Sequence, residues 1–245
     1  MKRAFCCSGG KDSIAMLHVL RDQDIEGTVY FGNTGAIFPH IIDYVRETCA
    51  KLRFPFKMVN SPANVIQYTE HYGYPVDILP VERDHQVVLA FTHKERDKHT
   101  LQSFMNCCAN MLWIPMANAM FEDKIEEMYK GTKQSDSRGH GLGPDYKDEH
   151  GIVHKMPLWG WNDQDVFSYL SREDIHLPEH YGYVNDSLDC WICTAHLKRT
   201  GKDKMEYIQK HYPDLWEHLK RRLNVVNQAI LSEYLSVAEA LRVGD

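Results

Sequence analysis

Along the chain, short apolar runs alternate with longer stretches of helical period. Ala4, Phe5 and Cys6 form one such run, and residues 11 to 22 then carry Ile14, Ala15, Met16, Leu17, Val19 and Leu20 around much of a helix. A helix this broadly apolar is one covered by a sheet and its neighbours. Gly27 to Phe31 reads as the next strand, ending in the turn Gly32-Asn33-Thr34-Gly35. From Pro39 the pattern predicts a helix to about Leu52, with proline at a permitted early position and Ile42, Val45, Cys49 and Leu52 on one face. That spacing puts Cys49 in the core. Phe56 to Val59 reads as a third strand and residues 63 to 72 as a third helix. The alternation predicts an α/β fold: an open, mostly parallel twisted sheet with helices on both faces.

The second half continues the theme less regularly. A helix is predicted from Pro115 to about Glu127, followed by a strand at Met128 to Lys130 that delivers Gly131 to the same sheet edge. Residues 92 to 100 are a mixed-charge run, read as a solvated face. Residues 134 to 154, with Gly139, Gly141, Gly143 and Pro144, read as too irregular for an element and therefore as a loop, over the active site or on the surface. Asn162 is placed to cap a helix carrying Val166, Phe167, Tyr169 and Leu170. Beyond Cys193 the chain reads as helical and ends in a stripe of Val226, Ile230, Tyr234, Val237 and Leu241.

The chemistry starts at Cys7-Ser8-Gly9-Gly10-Lys11-Asp12-Ser13, between the first strand and the first helix. Two glycines allow a tight turn with N–H groups facing inward, and the helix adds the positive end of its dipole. Lys11 brings a mobile positive charge, and Ser8 and Ser13 bring hydroxyls. A phosphate is the expected guest. The spacing fits neither the Walker pattern nor Gly-x-Gly-x-x-Gly.

Charge narrows the partners. With 28 Lys+Arg against 34 Asp+Glu, the net charge of −6 gives no global basic field for nucleic acid. Local candidates for a positive track are Lys198, Arg199, Lys202 and Lys204, with Lys220, Arg221 and Arg222. No long apolar stretch follows Met1-Lys2-Arg3, so a cytoplasmic protein without a membrane segment is expected. Seven cysteines in such a chain point to metal, cluster or redox chemistry.

Four of the cysteines form two tight pairs, Cys107-Cys108 and Cys190-x-x-Cys193. Two such pairs can complete a four-thiolate set for zinc or an iron–sulfur cluster. Neighbours on a helix point about 100° apart at about 3.6 residues per turn, so adjacent cysteines suit the separate corners of a [4Fe–4S] cubane better than one tetrahedral ion. Zinc is the alternative.

Ser8 to Ser13 resembles the PP-loop of the adenine-nucleotide alpha-hydrolase superfamily, and further blocks resemble the PAPS and APS reductases within it. Asn33-Thr34-Gly35-Ala36-Ile37-Phe38-Pro39 is similar to the family's Asp-Thr-Gly-x-x-Phe-Pro block. Gly131-Thr132-Lys133-Gln134-Ser135-Asp136-Ser137-Arg138 is similar to Gly-x-Arg-x-x-Glu-Ser-Arg, with charges kept. Pro157-Leu158, Trp161 and Asp165-Val166 also match, as does Tyr183 through Ser187 to Cys190-Trp191-Ile192-Cys193-Thr194. The cysteine spacing resembles that of the cluster-bearing branch.

The resemblance covers residues 1 to about 200, leaving 201–245 as a helical C-terminal extension. It implies an adenine nucleotide (ATP, APS or PAPS) held by Ser8, Gly9, Gly10, Lys11, Ser13, Asn33, Thr34, Gly35, Gly131, Lys133 and Arg138. Lys11 and Asp12 take the catalytic roles, Asp12 either binding Mg²⁺ or capping the helix. Cys107, Cys108, Cys190 and Cys193 carry the cluster. Reductases of this family attack substrate sulfur with a cysteine in a C-terminal motif, and no cysteine follows Cys193 in this sequence. Cys6 and Cys7 are candidate substitutes. The expectation is therefore ATP pyrophosphatase chemistry coupled to sulfur transfer, onto a nucleic acid or with a sulfur carrier. The alternatives are sulfite release from APS or PAPS, and a nucleotide- and cluster-binding sensor without turnover.

Overall fold

The computed structural model describes residues 1–78, 100–137, 143–188, 190–197 and 201–242. The chain divides into two compact units. The first is Met1–Asn33, Ile37–Ser61 and Trp113–Leu188; the second is Thr34–Ala36, Pro62–Leu112 and Asp189–Asp245. Most of the mixed-charge run at 92 to 100 lies outside the described residues. Among the described residues, no helix is long and apolar enough to cross a membrane.

The first unit is built on a six-stranded sheet. Its strands are β1 (Arg3–Cys6), β2 (Thr28–Asn33), β3 (Phe56–Asn60), β6 (Glu127–Lys130), β7 (Asp145–Lys147) and β8 (Val153–Lys155), in the order β3-β2-β1-β6-β8-β7. All neighbours are parallel except the edge pair β7 and β8. Its helices are α1 (Lys11–Asp22), α2 (Pro39–Leu52), α5 (Ile114–Glu122) and α6 (Asp163–Arg172). Ala4, Phe5, Val29, Tyr30 and Phe31 are at most 2% exposed, which explains why these strands read as unbroken apolar runs: a central parallel strand is covered on both faces. Ala4, Tyr30 and Met128 pack against Met120 of α5.

One expectation is corrected here. Residues 134 to 154 are not a plain loop: they contain a 3₁₀ turn (Gln134–Asp136) and the β7–β8 hairpin that closes the sheet edge. These strands are three residues long, too short to show a period of two in sequence. Asp148 and the stacked rings of Tyr146 and His154 organise the hairpin, with His154 Nε2 2.8 Å from Asp148 Oδ2. The helix predicted to Glu127 stops at Glu122, because β6 needs Glu127 in the sheet.

The second unit contains a two-stranded parallel sheet of β4 (Tyr74–Val76) and β5 (Leu101–Ser103). Among the described residues its helices are α3 (Val65–Tyr72), α4 (Phe104–Cys108), α7 (Lys202–His211) and α8 (Pro213–Arg242). Asn64 caps α3 by accepting the Ile66 N–H at 2.8 Å. Along α8, Val226 is buried, but Ile230, Tyr234 and Val237 are exposed, so the described part of the terminal stripe is covered only at its start.

The topology sets the candidate site. Strand order reverses between β1 and β6, with β2 and β3 on one side and β8 and β7 on the other. At such a switch point the loops leaving the strand ends diverge and open a crevice. The PP-loop leaves the end of β1, and Gly131 to Lys133 leave the end of β6.

A half-buried and a buried histidine give the first unit an acid limit. Burial above all, then the charge of Arg21, pushes His18 down to about 4; burial and nearby His40 push His180 to about 4. Both stay neutral in the fold, whereas the unfolded chain protonates them near 6.5. Stability therefore falls as pH drops from about 6.5 towards 4, where the unfolded chain binds protons that the folded chain refuses. Urea denaturation at pH 7, 6 and 5 should show a falling midpoint; a flat profile across that window would contradict the assignment.

Candidate functional site

Between β1 and α1 the chain makes a tight, internally bonded turn. Gly9 has φ +81°, and a Cβ there would lie 2.6 Å from Ile41 Cγ2 of α2, so glycine is required by both conformation and space. Ser13 Oγ donates to the Gly10 carbonyl at 2.8 Å and accepts the Ser8 N–H at 3.3 Å. Ser8 Oγ accepts the Gly10 N–H at 3.3 Å. The two serines expected from sequence to be phosphate ligands thus hold the turn in shape. Tyr181 Oη accepts the Lys11 N–H at 2.7 Å, so a phenol oxygen occupies one of the amide positions at the start of α1.

The end of β6 meets this turn at backbone distance. A Cβ on Gly131 would sit 2.7 Å from both the carbonyl carbon and oxygen of Asp12. Only glycine allows that approach, and it brings Lys133 to the PP-loop. Lys11 and Lys133 have side chains only 5% and 2% exposed. Asp12 bridges them: Oδ2 is 2.9 Å from Lys11 Nζ, and Oδ1 is 2.7 Å from Lys133 Nζ. Asp136 adds a contact of 3.0 Å to Lys133 Nζ and accepts the Lys133 N–H with the same carboxylate. Asp163, in the first turn of α6, places Oδ1 3.1 Å from Lys11 Nζ and 3.3 Å from Lys133 Nζ.

These contacts set the charges. Burial by itself would push the Lys133 ammonium down, but the hydrogen bonds and charges of Asp12 and Asp136 outweigh it and raise it above the ordinary lysine range. Partial burial likewise opposes ionisation of Asp163, and Lys11 and Lys133 prevail, holding it below the usual carboxylate range. Lys133 and Asp163 are therefore both charged at neutral pH. Asp12 does not cap α1, whose N-cap is Gly10; it serves as the internal counter-ion of two lysines. A carboxylate has about four lone-pair sites, so a hard cation such as Mg²⁺ can share its oxygens.

The thiols near the turn are poor nucleophiles. Burial pushes Cys6 up to about 11 and raises Cys7, whose Sγ faces Ser13 Oγ at 3.5 Å. A protonated thiol attacks slowly. Cys49 is 1% exposed, as its helical spacing predicted.

The remaining sequence candidates divide between the units. Asn33 ends β2 in the first unit, and its Nδ2 donates to Asn60 Oδ1 at 3.0 Å. Thr34 and Gly35 belong to the second unit. Thr34 Oγ1 lies 3.0 Å from Cys190 Sγ, and the Trp191 N–H donates to the Ala36 carbonyl at 2.9 Å. The structure therefore brings Thr34 to the cysteine pair. Gly35 has φ +81° and open space where a Cβ would stand. Arg138 lies outside the described residues.

Cys107 and Cys190 share one apolar cluster with Ala36, Val65, Met111 and Ile192. Burial first, then the nearness of Cys190 and Cys193, pushes the Cys107 thiol up to about 12. Among the described residues no group of three or more His, Cys, Asp or Glu side chains is gathered around a single-ion position. Cys107 and Cys108 stand on one helix, Cys190 and Cys193 on one turn, and two buried cations lie in the same unit. Lys204 Nζ donates to the Cys190 carbonyl at 2.9 Å. Arg222 donates to Thr69 Oγ1 at 2.8 Å and lies over the Tyr74 ring at 4.9 Å. Both were candidates for a surface positive track and are instead 8% and 5% exposed. Lys198 and Arg199 lie outside the described residues.

Asp163 and Tyr181 are the residues that sequence reading missed. Asp163 carried a weak signal as an acid beside the Asn162 cap; Tyr181 carried none, since only the fold brings it 170 residues back to Lys11.

Comparison with known proteins agrees with this fold. The phosphoadenosine 5'-phosphosulfate reductase of Vibrio cholerae serotype O1 is 22% identical over 179 residues, covering 72% of this chain and 61% of the relative. The enzyme of that name from Vibrio vulnificus is 20% identical over 186 residues, covering 74% and 63%. The chain thus spans about three fifths of the length of these curated relatives. Among solved structures, a PAPS reductase from Candida auris in a phosphate complex aligns with a TM-score of 0.51 at 15% identity, covering 76% of this chain and 81% of that one, which supports the fold. The family model for the phosphoadenosine phosphosulfate reductase domain matches residues 2–196, and the chain belongs to that family.

Proposed function

We propose that this protein binds ATP or a related adenine nucleotide at the PP-loop and performs alpha-phosphate chemistry of the ATP pyrophosphatase type, coupled to sulfur transfer. The observation that carries the reading is the pair of buried ammonium groups, Lys11 and Lys133, bridged by Asp12 at the switch point of the sheet. Preorganised cations at a helix N-terminus stabilise negative charge developing on a leaving pyrophosphate, because they need no reorganisation as the charge forms. Lys11 and Lys133 share that task, and Asp12 keeps both oriented. Mg²⁺ brought in with the nucleotide would meet Asp12. Gly9 and Gly10 let the backbone approach the phosphates.

Sulfite release from APS or PAPS is the second reading, favoured by family membership and by the names of the relatives. It needs a thiolate at the substrate sulfur. Burial, which raises both the Cys6 and Cys7 thiols, favours the first reading.

A [4Fe–4S] cluster held by Cys107, Cys108, Cys190 and Cys193 would supply a redox-active centre to the second unit. Thr34 would offer its hydroxyl to the Cys190 sulfur, and Lys204 and Arg222 would offset the charge of four thiolates.

Anaerobic protein incubated with Mg²⁺ and ATP should release pyrophosphate; sulfite from APS or PAPS would reverse the order of the two readings, and tight nucleotide binding with neither product would mark a sensor. Lys133→Met should weaken nucleotide binding about 10- to 150-fold, the equivalent of about 1.5–3 kcal/mol for a charged hydrogen bond, with unchanged affinity counting against the clamp. Iron and labile sulfide should appear together in anaerobically purified protein and disappear in Cys190→Ser; zinc without sulfide would refute the cluster.

A further inference from the structure

Two carboxylates face the lysine pair, and they do so differently. Asp12 gives each lysine its own oxygen and is 27% exposed. Asp163 offers one oxygen, Oδ1, to both ammonium groups at 3.1 and 3.3 Å, and its side chain is 65% exposed. One anionic oxygen shared by two buried ammonium groups is the geometry that a phosphoryl oxygen adopts between paired lysines. Asp163 projects from the first position of α6, after the Asn162 cap, so its carboxylate can rotate into water without disturbing the helix.

The charge count adds to the argument. Among the described residues, Lys11 and Lys133 stand against Asp12, Asp136 and Asp163, so this group carries one formal negative charge in excess while Asp163 is docked. An incoming anion meets net repulsion there. With Asp163 rotated out, two lysines balance two carboxylates, and one oxygen position between the lysines is released.

We infer that Asp163 is a resident counter-anion of the lysine clamp, a specificity-determining residue that a nucleotide phosphate must displace. This rests on the reading that the clamp takes phosphate. Its consequence is selection by charge: a polyanion such as a triphosphate or pyrophosphate competes for both lysines at once, whereas a small monoanion does not dislodge the tethered carboxylate. The solvent exposure of Asp163 keeps the exchange cheap.

The sign of the effect makes the test sharp. Calorimetric titration of inorganic pyrophosphate in EDTA should show Asp163→Asn and Asp163→Ala binding about tenfold more tightly than the unaltered protein, about 1.4 kcal/mol, with the gap narrowing as salt rises. Merely structural damage would weaken binding, so equal or weaker affinity in both variants overturns the inference. A selective loss of ATP binding in the presence of Mg²⁺ would make Asp163 a metal ligand and also overturn it. If neither the unaltered protein nor the variants bind pyrophosphate or ATP, with or without Mg²⁺, the phosphate reading itself fails and takes the inference with it.

Discussion

The candidate site depends on one electrostatic constraint: two ammonium groups cannot be buried side by side without a shared counter-ion. Removing such charges from water costs several kcal/mol each unless good geometry offsets it. Asp12 supplies that geometry with one oxygen per lysine. Its position next to Lys11 means that one turn of helix provides both a cation and the anion that holds the second cation. The remaining requirement is steric. Lys133 reaches Asp12 only because Gly131 brings the end of β6 to within backbone distance of the PP-loop.

The internal bonding of the loop serves the same constraint. Ser8 and Ser13 commit their hydroxyls to the turn, and Tyr181 takes the first amide of α1. Protein groups therefore occupy the anion-accepting positions, as Asp163 does between the lysines. A binding site built from mutually satisfied polar groups is rigid, and its ligand enters by exchange rather than by filling a void.

In the second unit the same logic applies to sulfur. Cys107 and Cys190 stand among apolar side chains, and burial pushes the Cys107 thiol up. Lys204 and Arg222 come from the C-terminal helices and are buried in that unit rather than spread on its surface. Long cationic side chains whose stems pack and whose heads find carbonyl or hydroxyl acceptors are stable inside a protein. In sequence they were indistinguishable from surface charge, because a run of basic residues on a helix does not announce which member faces inward.

Local signals carried most of the architecture. The α/β alternation, the bounds of α1 and α2, the β1–α1 glycine turn and the Asn162 cap were legible because each depends on neighbours within a few residues. The β7–β8 hairpin was not, because strands of three residues at a sheet edge are fixed by pairing rather than by pattern. The paired cysteines and the PP-loop lysine were visible as residue types at short spacing. That Asp12 bridges to Lys133, that Asp163 and Tyr181 join the clamp, and that Thr34 meets Cys190 were decided only by tertiary structure. These are contacts across more than a hundred residues of chain, and sequence carries no periodicity at that distance. The sequence by itself determined the elements and the chemical types at their ends; the order of strands in the sheet decided which ends share a crevice, and so which charges face one another.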